Sequence, residues 1–99
     1  MPEAPERILV VDDEENMVHF LTKLLRAEGF EVEGARTGET ALERLRAAPF
    51  ELVLSDLKLP DTDGIEILKA SRELSPETVV VLITAYGTIE SAIEAMRAG

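Results

Sequence analysis

The chain has 99 residues, 45% of them hydrophobic, with 20 acidic against 10 basic side chains and a formal net charge of −10. This length and composition predict one globular domain of modest core size, and the acidic excess argues against direct nucleic-acid binding because it repels phosphate backbones. No cysteine is present, so disulfides and thiolate metal sites are excluded. No apolar run approaches the roughly 20 residues that span a membrane, and no secretory pattern is present, so we expect a cytoplasmic protein.

The first half of the chain predicts two strands and two helices. The apolar run at 8–11 predicts a buried strand that ends in four acids. Residues 15–28 predict a helix with Gly29 at its C-terminal cap, and the alternating segment 30–35 predicts an edge strand. A second helix begins at 37–38 and ends before Pro49. The apolar stripe expected to pack the first helix is Met17, Phe20, Leu21, Leu24 and Leu25.

The second half is organised around residues 50–64. Its apolar run at 52–54 predicts a strand buried on both faces, as in a parallel sheet. A third helix at 64–74, a β-branched strand at 78–83 and a fourth helix from Thr88 follow. The resulting βαβαβαβα order predicts a parallel sheet with right-handed crossovers.

Acidic side chains follow two of the predicted buried strands. Asp56 ends the third strand, and Asp12 and Asp13 follow the first. Ligands of open α/β sheets bind outside the carboxyl ends of the strands, so these acids are candidates for a site. Asp56 is equally compatible with a simple turn, where aspartate is common. Glu14 and Glu15 are typical of a helix start, where acids favour the helix dipole.

Three segments together resemble the receiver domain of bacterial two-component response regulators. They are I-L-V-V-D-D-E at 8–14, L-V-L-S-D-L-K-L-P-D-T-D-G at 52–64 and V-L-I-T-A-Y-G at 81–87. The run at 85–99 is most similar to receivers of enhancer-binding transcriptional activators. The resemblance implies a flavodoxin-like open parallel sheet, here a (βα)4 unit with strand order 2-1-3-4.

The resemblance also implies roles for individual residues. Asp56 matches the phosphoacceptor, Asp13 matches a carboxylate ligand of Mg²⁺, and Asp12 lies beside it as a further metal-site residue. The backbone carbonyl of Lys58 matches another metal ligand, and the hydroxyl of Thr84 matches a contact to the phosphoryl group. Thr84 is also compatible with an ordinary β-branched residue at a strand end. A hard divalent cation would relieve the repulsion among the acids and neutralise charge on a transferring phosphoryl group.

The expected partners follow from the same resemblance. A sensor histidine kinase would be the phosphodonor, and an output domain would lie in a longer parent protein. The chain would be a self-phosphorylating phosphoacceptor rather than a turnover enzyme. A haloacid-type phosphatase is disfavoured because its D-x-D motif directly follows a strand, whereas Pro60 precedes the motif here.

The sequence departs from the family after the fourth helix. Receivers have a fifth strand with a lysine that pairs with the phosphoryl group, and then a fifth helix. The lysines here are Lys23, Lys58 and Lys69, and none ends a fifth strand. We therefore expect residues 1–99 to be a single truncated receiver domain with impaired phosphorylation. The alternative is a receiver-like interaction module that carries no phosphate. An open fourth strand predicts a homodimer through the fourth strand and fourth helix.

Overall fold

The structure is a computed structural model, and it describes residues 6–83. Within this range four strands and three helices alternate, and the strands form one parallel sheet in the order β2-β1-β3-β4. The elements are β1 (Arg7–Val11), α1 (Glu15–Ala27), β2 (Glu31–Ala35), α2 (Gly38–Ala47), β3 (Leu52–Asp56), α3 (Gly64–Leu74) and β4 (Val79–Ile83). The predicted 2-1-3-4 sheet is confirmed. The predicted fourth helix lies outside the described residues.

The register of the sheet brings the carboxyl ends of β1 and β3 side by side. Val11 pairs with Ala35 on one side and with Ser55 on the other. Asp56 in turn pairs with Ile83 at the end of β4. The residues that follow these strands therefore meet at one edge of the sheet, as the crossover topology requires.

The larger core lies between the sheet and helices α2 and α3. Leu9, Val53 and Ile67 have no exposed surface at its centre. Side chains point alternately to the two faces of a strand, so Leu9 and Val53 enter this core while their neighbours face α1. The continuous apolar run of β1 thus reflects burial on both faces. In β3, predicted to be buried on both faces, Val53 is buried but Leu52 and Leu54 are only partly buried.

Helix α1 packs on the opposite face with only part of the predicted stripe, namely Leu21 and Leu25, together with Val18. Its contacts to the cluster of Ile8, Val10 and Val32 come from three residues, namely Val18, Leu21 and Leu25. Phe20 is 59% exposed and Leu24 50% exposed, so that part of the prediction is wrong. The cause lies on β2, where a Cβ added at Gly34 would be 2.6 Å from Val18 Cγ1. The missing side chain lets Val18 approach the sheet and sets which row faces it.

The end of α1 lies one residue earlier than predicted. The C-terminal cap is Glu28, and Gly29 follows it with a φ of 96°. This left-handed conformation strains residues that have a Cβ, which is why glycine commonly occupies the position after the cap. Glycine therefore stops the helix and turns the chain into β2.

The two edge strands of the described sheet are β2 and β4. β2 forms one edge, as its alternating pattern predicted. β4 pairs only with β3 among residues 6–83, and Val79 is 42% exposed while Val80 and Val81 are buried. None of the helices in this range combines the length and apolar character needed to cross a membrane.

Candidate functional site

Three carboxylates converge at the carboxyl edge of the sheet. Asp12, Asp13 and Asp56 each present an oxygen, and these oxygens lie within 4.8 Å of one another. Asp12 and Asp56 are half-buried and Asp13 is exposed. The cluster is made by adjacent strands whose ends the register aligns, which is the convergence expected from the sequence.

The backbone holds Asp12 firmly in this cluster. Its amide donates to the Ala35 carbonyl at 3.0 Å, which extends the β1–β2 pairing by one residue. Its carboxylate oxygen Oδ1 accepts from the Glu14 amide at 2.9 Å. The carboxylate thus lies between the end of β1 and the start of α1, with one oxygen already engaged.

Asp56 and the loop after it are fixed through backbone contacts. The Leu57 amide donates to the Ile83 carbonyl at 2.8 Å, which fastens the loop to the end of β4. The Lys58 amide lies 3.3 Å from Oδ1 of Asp56, and the Lys58 side chain is exposed. The neighbouring Ser55 is fully buried and donates from its hydroxyl to the Asp56 carbonyl at 3.0 Å. This arrangement fixes the backbone of the predicted phosphoacceptor.

Gly64 allows α3 to begin directly against this backbone. A Cβ at Gly64 would lie 2.7 Å from the Asp56 carbonyl oxygen and 2.7 Å from Leu82 Cδ2. The Gly64 amide donates to the Leu57 carbonyl at 2.8 Å, and the Asp63 side chain caps the helix by accepting from the Glu66 amide. The segment before α3 is therefore a closely packed turn.

The electrostatics of the site favour a cation. Burial raises the pKa of the Asp12 carboxyl above its ordinary value, the hydrogen bond from Glu14 opposes this rise, and repulsion from the nearby carboxylates adds to it. Ionisation of Asp12 is therefore less favourable than that of a free aspartate, and a cation in the cluster would offset this cost.

The donor set fits a hard divalent ion. Mg²⁺ binds oxygen at about 2.0–2.1 Å in an octahedron, so its ligand oxygens are about 2.9 Å apart when adjacent and about 4.1 Å when opposite. A set of carboxylate oxygens within 4.8 Å matches that requirement after a small contraction. Mg²⁺ also keeps several water ligands, which agrees with a site that is partly open to solvent.

Two contacts near the site were not predicted from the sequence. Arg36, in the connection from β2 to α2, donates from Nη2 to the Asp13 carbonyl at 3.2 Å and so contributes a cation at the rim. Asp61 accepts hydrogen bonds from the first two amides of α2. Both contacts join residues more than 20 positions apart, so no local pattern reports them. Thr84 lies outside the described residues.

The comparisons with known proteins agree on one family. Residues 8–99 match the family model described as the response regulator receiver domain. Regulatory protein AtoC of Escherichia coli K12 is 42% identical over 96 residues, which are 97% of this chain and 21% of AtoC. The chain therefore spans about a fifth of the length of that curated relative.

Solved structures give the same result. A response regulator protein from Burkholderia pseudomallei, crystallised with a phosphorylated aspartic acid, a calcium ion and citrate, has a TM-score of 0.79 at 29% identity, with coverage of 95% of this chain and 55% of that one. The beryllofluoride-activated NtrC4 receiver domain dimer has a TM-score of 0.78 at 34% identity, with coverage of 94% and 77%. The match of the family model over nearly the whole sequence, together with the converging acids of the sheet edge, shows that this chain belongs to the receiver domain family of two-component response regulators.

Proposed function

We propose that this chain, as one receiver domain over residues 1–99, accepts a phosphoryl group on Asp56 with the help of Mg²⁺ held by Asp13, Asp56 and the Lys58 carbonyl, with Asp12 beside them. The observation that carries the proposal is the convergence of three carboxylates within 4.8 Å at the carboxyl edge of the sheet. The Burkholderia pseudomallei response regulator supports it, because that protein was crystallised with a phosphorylated aspartic acid and a calcium ion.

The chemistry is a single displacement at phosphorus. An Asp56 carboxylate oxygen forms a bond to the phosphorus of a phosphohistidine or a small phosphodonor. The bond from phosphorus to the donor breaks, and its electron pair leaves with the donor. The product is an aspartyl phosphate, a known form of carboxylate nucleophilic catalysis. Bound Mg²⁺ would supply charge neutralisation for the phosphoryl oxygens.

The chain's own residues prepare this step. The Ser55 hydroxyl and the Leu57 amide fix the backbone around Asp56 before any donor arrives, and such positioning lowers the entropic part of the barrier. Thr84 is proposed to donate its hydroxyl to a phosphoryl oxygen after transfer. Because the acceptor itself is modified, the chain is a phosphoacceptor rather than a turnover enzyme.

The partners are proposed from the relatives. AtoC is a regulatory protein about five times as long as the matched region, so we assign an output domain to the parent protein. A sensor histidine kinase is the proposed phosphodonor, and the cytoplasm is the proposed location.

Homodimerisation through the fourth strand and fourth helix is a further part of the proposal. β4 pairs only with β3 among the described residues, and Val79 at its start is 42% exposed. An exposed apolar edge presents unpaired backbone groups that a second copy can use. The beryllofluoride-activated NtrC4 receiver domain is a dimer, which supports self-association of this chain. Light scattering across protein concentration and salt tests it, and a strict monomer at high concentration would contradict it.

Labelling with a small phosphodonor in the presence of Mg²⁺, followed by intact mass measurement, tests the main proposal. One phosphoryl group should be added to the wild-type chain and none to Asp56→Asn, which keeps the size of the side chain. A wild-type chain that stays unmodified while it is folded and binds Mg²⁺ would favour the alternative function, an interaction module that carries no phosphate.

A further inference from the structure

The loop that follows Asp56 is attached to the start of α2 by one side chain. Both carboxylate oxygens of Asp61 accept hydrogen bonds from this helix end. The Gly38 amide donates to Oδ1 at 2.8 Å, and the Glu39 amide donates to Oδ2 at 2.9 Å. These two hydrogen bonds hold the pKa of the Asp61 carboxyl below its ordinary value.

Asp61 completes the capping of α2. The first amides of a helix have no partner within the helix. The helix's own N-cap, Thr37, reaches the Thr40 amide at 3.1 Å with its side chain and the Ala41 amide with its carbonyl. The two preceding amides, those of Gly38 and Glu39, donate their hydrogen bonds to the carboxylate of Asp61. The helix start thus depends on a residue 22 positions away in sequence.

The contact is tight as well as polar. A Cβ at Gly38 would lie 2.1 Å from Thr62 Cγ2 and 3.2 Å from Oδ1 of Asp61. Glycine is therefore needed for the helix to approach the loop this closely, and Gly38 is buried by the approach. The start of α2 and the tip of the loop behave as one packed unit.

This unit connects the two segments that carry the proposed metal ligands. On the loop side, the backbones of Lys58 and Asp63 form an isolated antiparallel β-bridge, and the Leu59 amide donates to the Thr62 carbonyl at 3.1 Å. Asp61 therefore lies at the tip of a turn, and the Lys58 carbonyl lies on one of the two segments that flank this tip. On the helix side, Arg36 just before α2 donates to the Asp13 carbonyl. The contacts therefore run from Asp13 to the start of α2 and from there to the Lys58 loop.

We propose that Asp61 is a positioning residue for the metal site, which holds the Lys58 loop at its working distance from Asp13 by binding the first turn of α2. The inference rests on the proposed function, because it assigns to Asp61 a role toward ligands named there. Asp61 itself touches neither the metal nor the phosphoryl group in this account.

The test is a Mg²⁺ titration of the chain, followed through backbone amide shifts by NMR. Asp61→Ala removes both acceptors and should weaken Mg²⁺ binding about tenfold, the lower end of the effect seen when supporting partners of metal ligands are lost. Asp61→Asn keeps one acceptor oxygen and should fall between the wild type and Asp61→Ala. Gly38→Ala disrupts the packing of the first turn of α2 against the loop of Asp61, and it should also weaken Mg²⁺ binding.

Thr37→Ala is the matched control. It removes a cap from the same helix end and lowers stability, but it leaves the contact to the loop in place. Mg²⁺ affinity should stay at the wild-type value in this variant. If Asp61→Asn and Gly38→Ala also bind Mg²⁺ like the wild type, the role of Asp61 is only structural and the inference is overturned. A wild-type chain with no Mg²⁺ response near residues 12, 13 and 56 would overturn the proposed metal site and this inference with it.

Discussion

Asp12→Asn should stabilise the chain at neutral pH when no divalent ion is present. The substitution neutralises a half-buried carboxylate that presents an oxygen within 4.8 Å of oxygens of Asp13 and Asp56. Asparagine retains an oxygen that can accept the hydrogen bond from the Glu14 amide. The repulsion is thus removed while the local backbone contact is kept.

The expected gain follows from the geometry. At 4.8 Å, the upper limit of the distances between these oxygens, two unit charges repel by about 0.9 kcal/mol in bulk water and by about 3.5 kcal/mol at an effective dielectric constant of about 20. The site is partly open to solvent, so screening keeps each pair nearer the lower value. Two of the three pairs involve Asp12, and the free energy of unfolding should therefore rise by about 1–2 kcal/mol.

The pH dependence has a definite sign. A carboxyl whose pKa is higher in the folded than in the unfolded chain favours folding in its protonated form. Its contribution is fully present below the unfolded value of 3.8 and is lost as pH rises through the higher folded pKa. Wild-type stability should therefore decline over this window, and Asp12→Asn should lack that part of the decline.

Urea unfolding at several pH values, with and without Mg²⁺, measures these effects. Asp61→Asn is a matched control because it makes the same chemical change at a carboxyl whose pKa is lowered. Loss of the Asp61 carboxylate should lower the free energy of unfolding at neutral pH, where the ionised group contributes fully to stability. The difference in stability between the wild type and Asp61→Asn should vanish as pH falls through the pKa of Asp61 in the folded chain. The reasoning is refuted if Asp12→Asn is less stable than the wild type without Mg²⁺, or if Mg²⁺ stabilises both chains equally.

Two further substitutions test the packing around and away from the site. Gly64→Ala places a methyl group 2.7 Å from the Asp56 carbonyl oxygen and should cost about 2 kcal/mol in thermal unfolding, together with a slower labelling rate; unchanged values would show that α3 can shift freely. Arg7→Ala removes an arginine that pairs with two glutamates of β2 and lies 4.6 Å from the centre of the Phe50 ring. It should cost about 1–2 kcal/mol, less at high salt, without changing Mg²⁺ affinity, because it acts at the opposite edge of the sheet; a changed affinity would contradict this.

The sheet and its acidic edge could be predicted because each rests on a local pattern. Central strands of a parallel sheet are apolar on both faces, so β1 and β3 appear as continuous apolar runs. The acids follow those runs directly, and strand order then brings Asp12, Asp13 and Asp56 together.

The face of α1 was harder to predict for a physical reason. Helical spacing identifies an apolar stripe, but Val18 and Leu21 face the sheet while Phe20 is mostly exposed. The choice depends on Gly34 of β2, which leaves room for Val18. Asp61 and Arg36 were missed for a related reason, since their partners lie more than 20 positions away and a hydrogen bond to a backbone group leaves no mark on the partner's residue type.

The measurement that tests the account most directly is a Mg²⁺-dependent labelling experiment on the wild-type chain, with Asp56→Asn and Asp13→Asn measured beside it by intact mass. The account predicts one phosphoryl group on the wild type, strongly reduced labelling of Asp13→Asn, and none on Asp56→Asn. Labelling should also disappear when Mg²⁺ is chelated, because the crowded carboxylates then lack the charge that offsets an incoming phosphoryl group. Labelling that persists in Asp56→Asn would contradict the assignment of the acceptor.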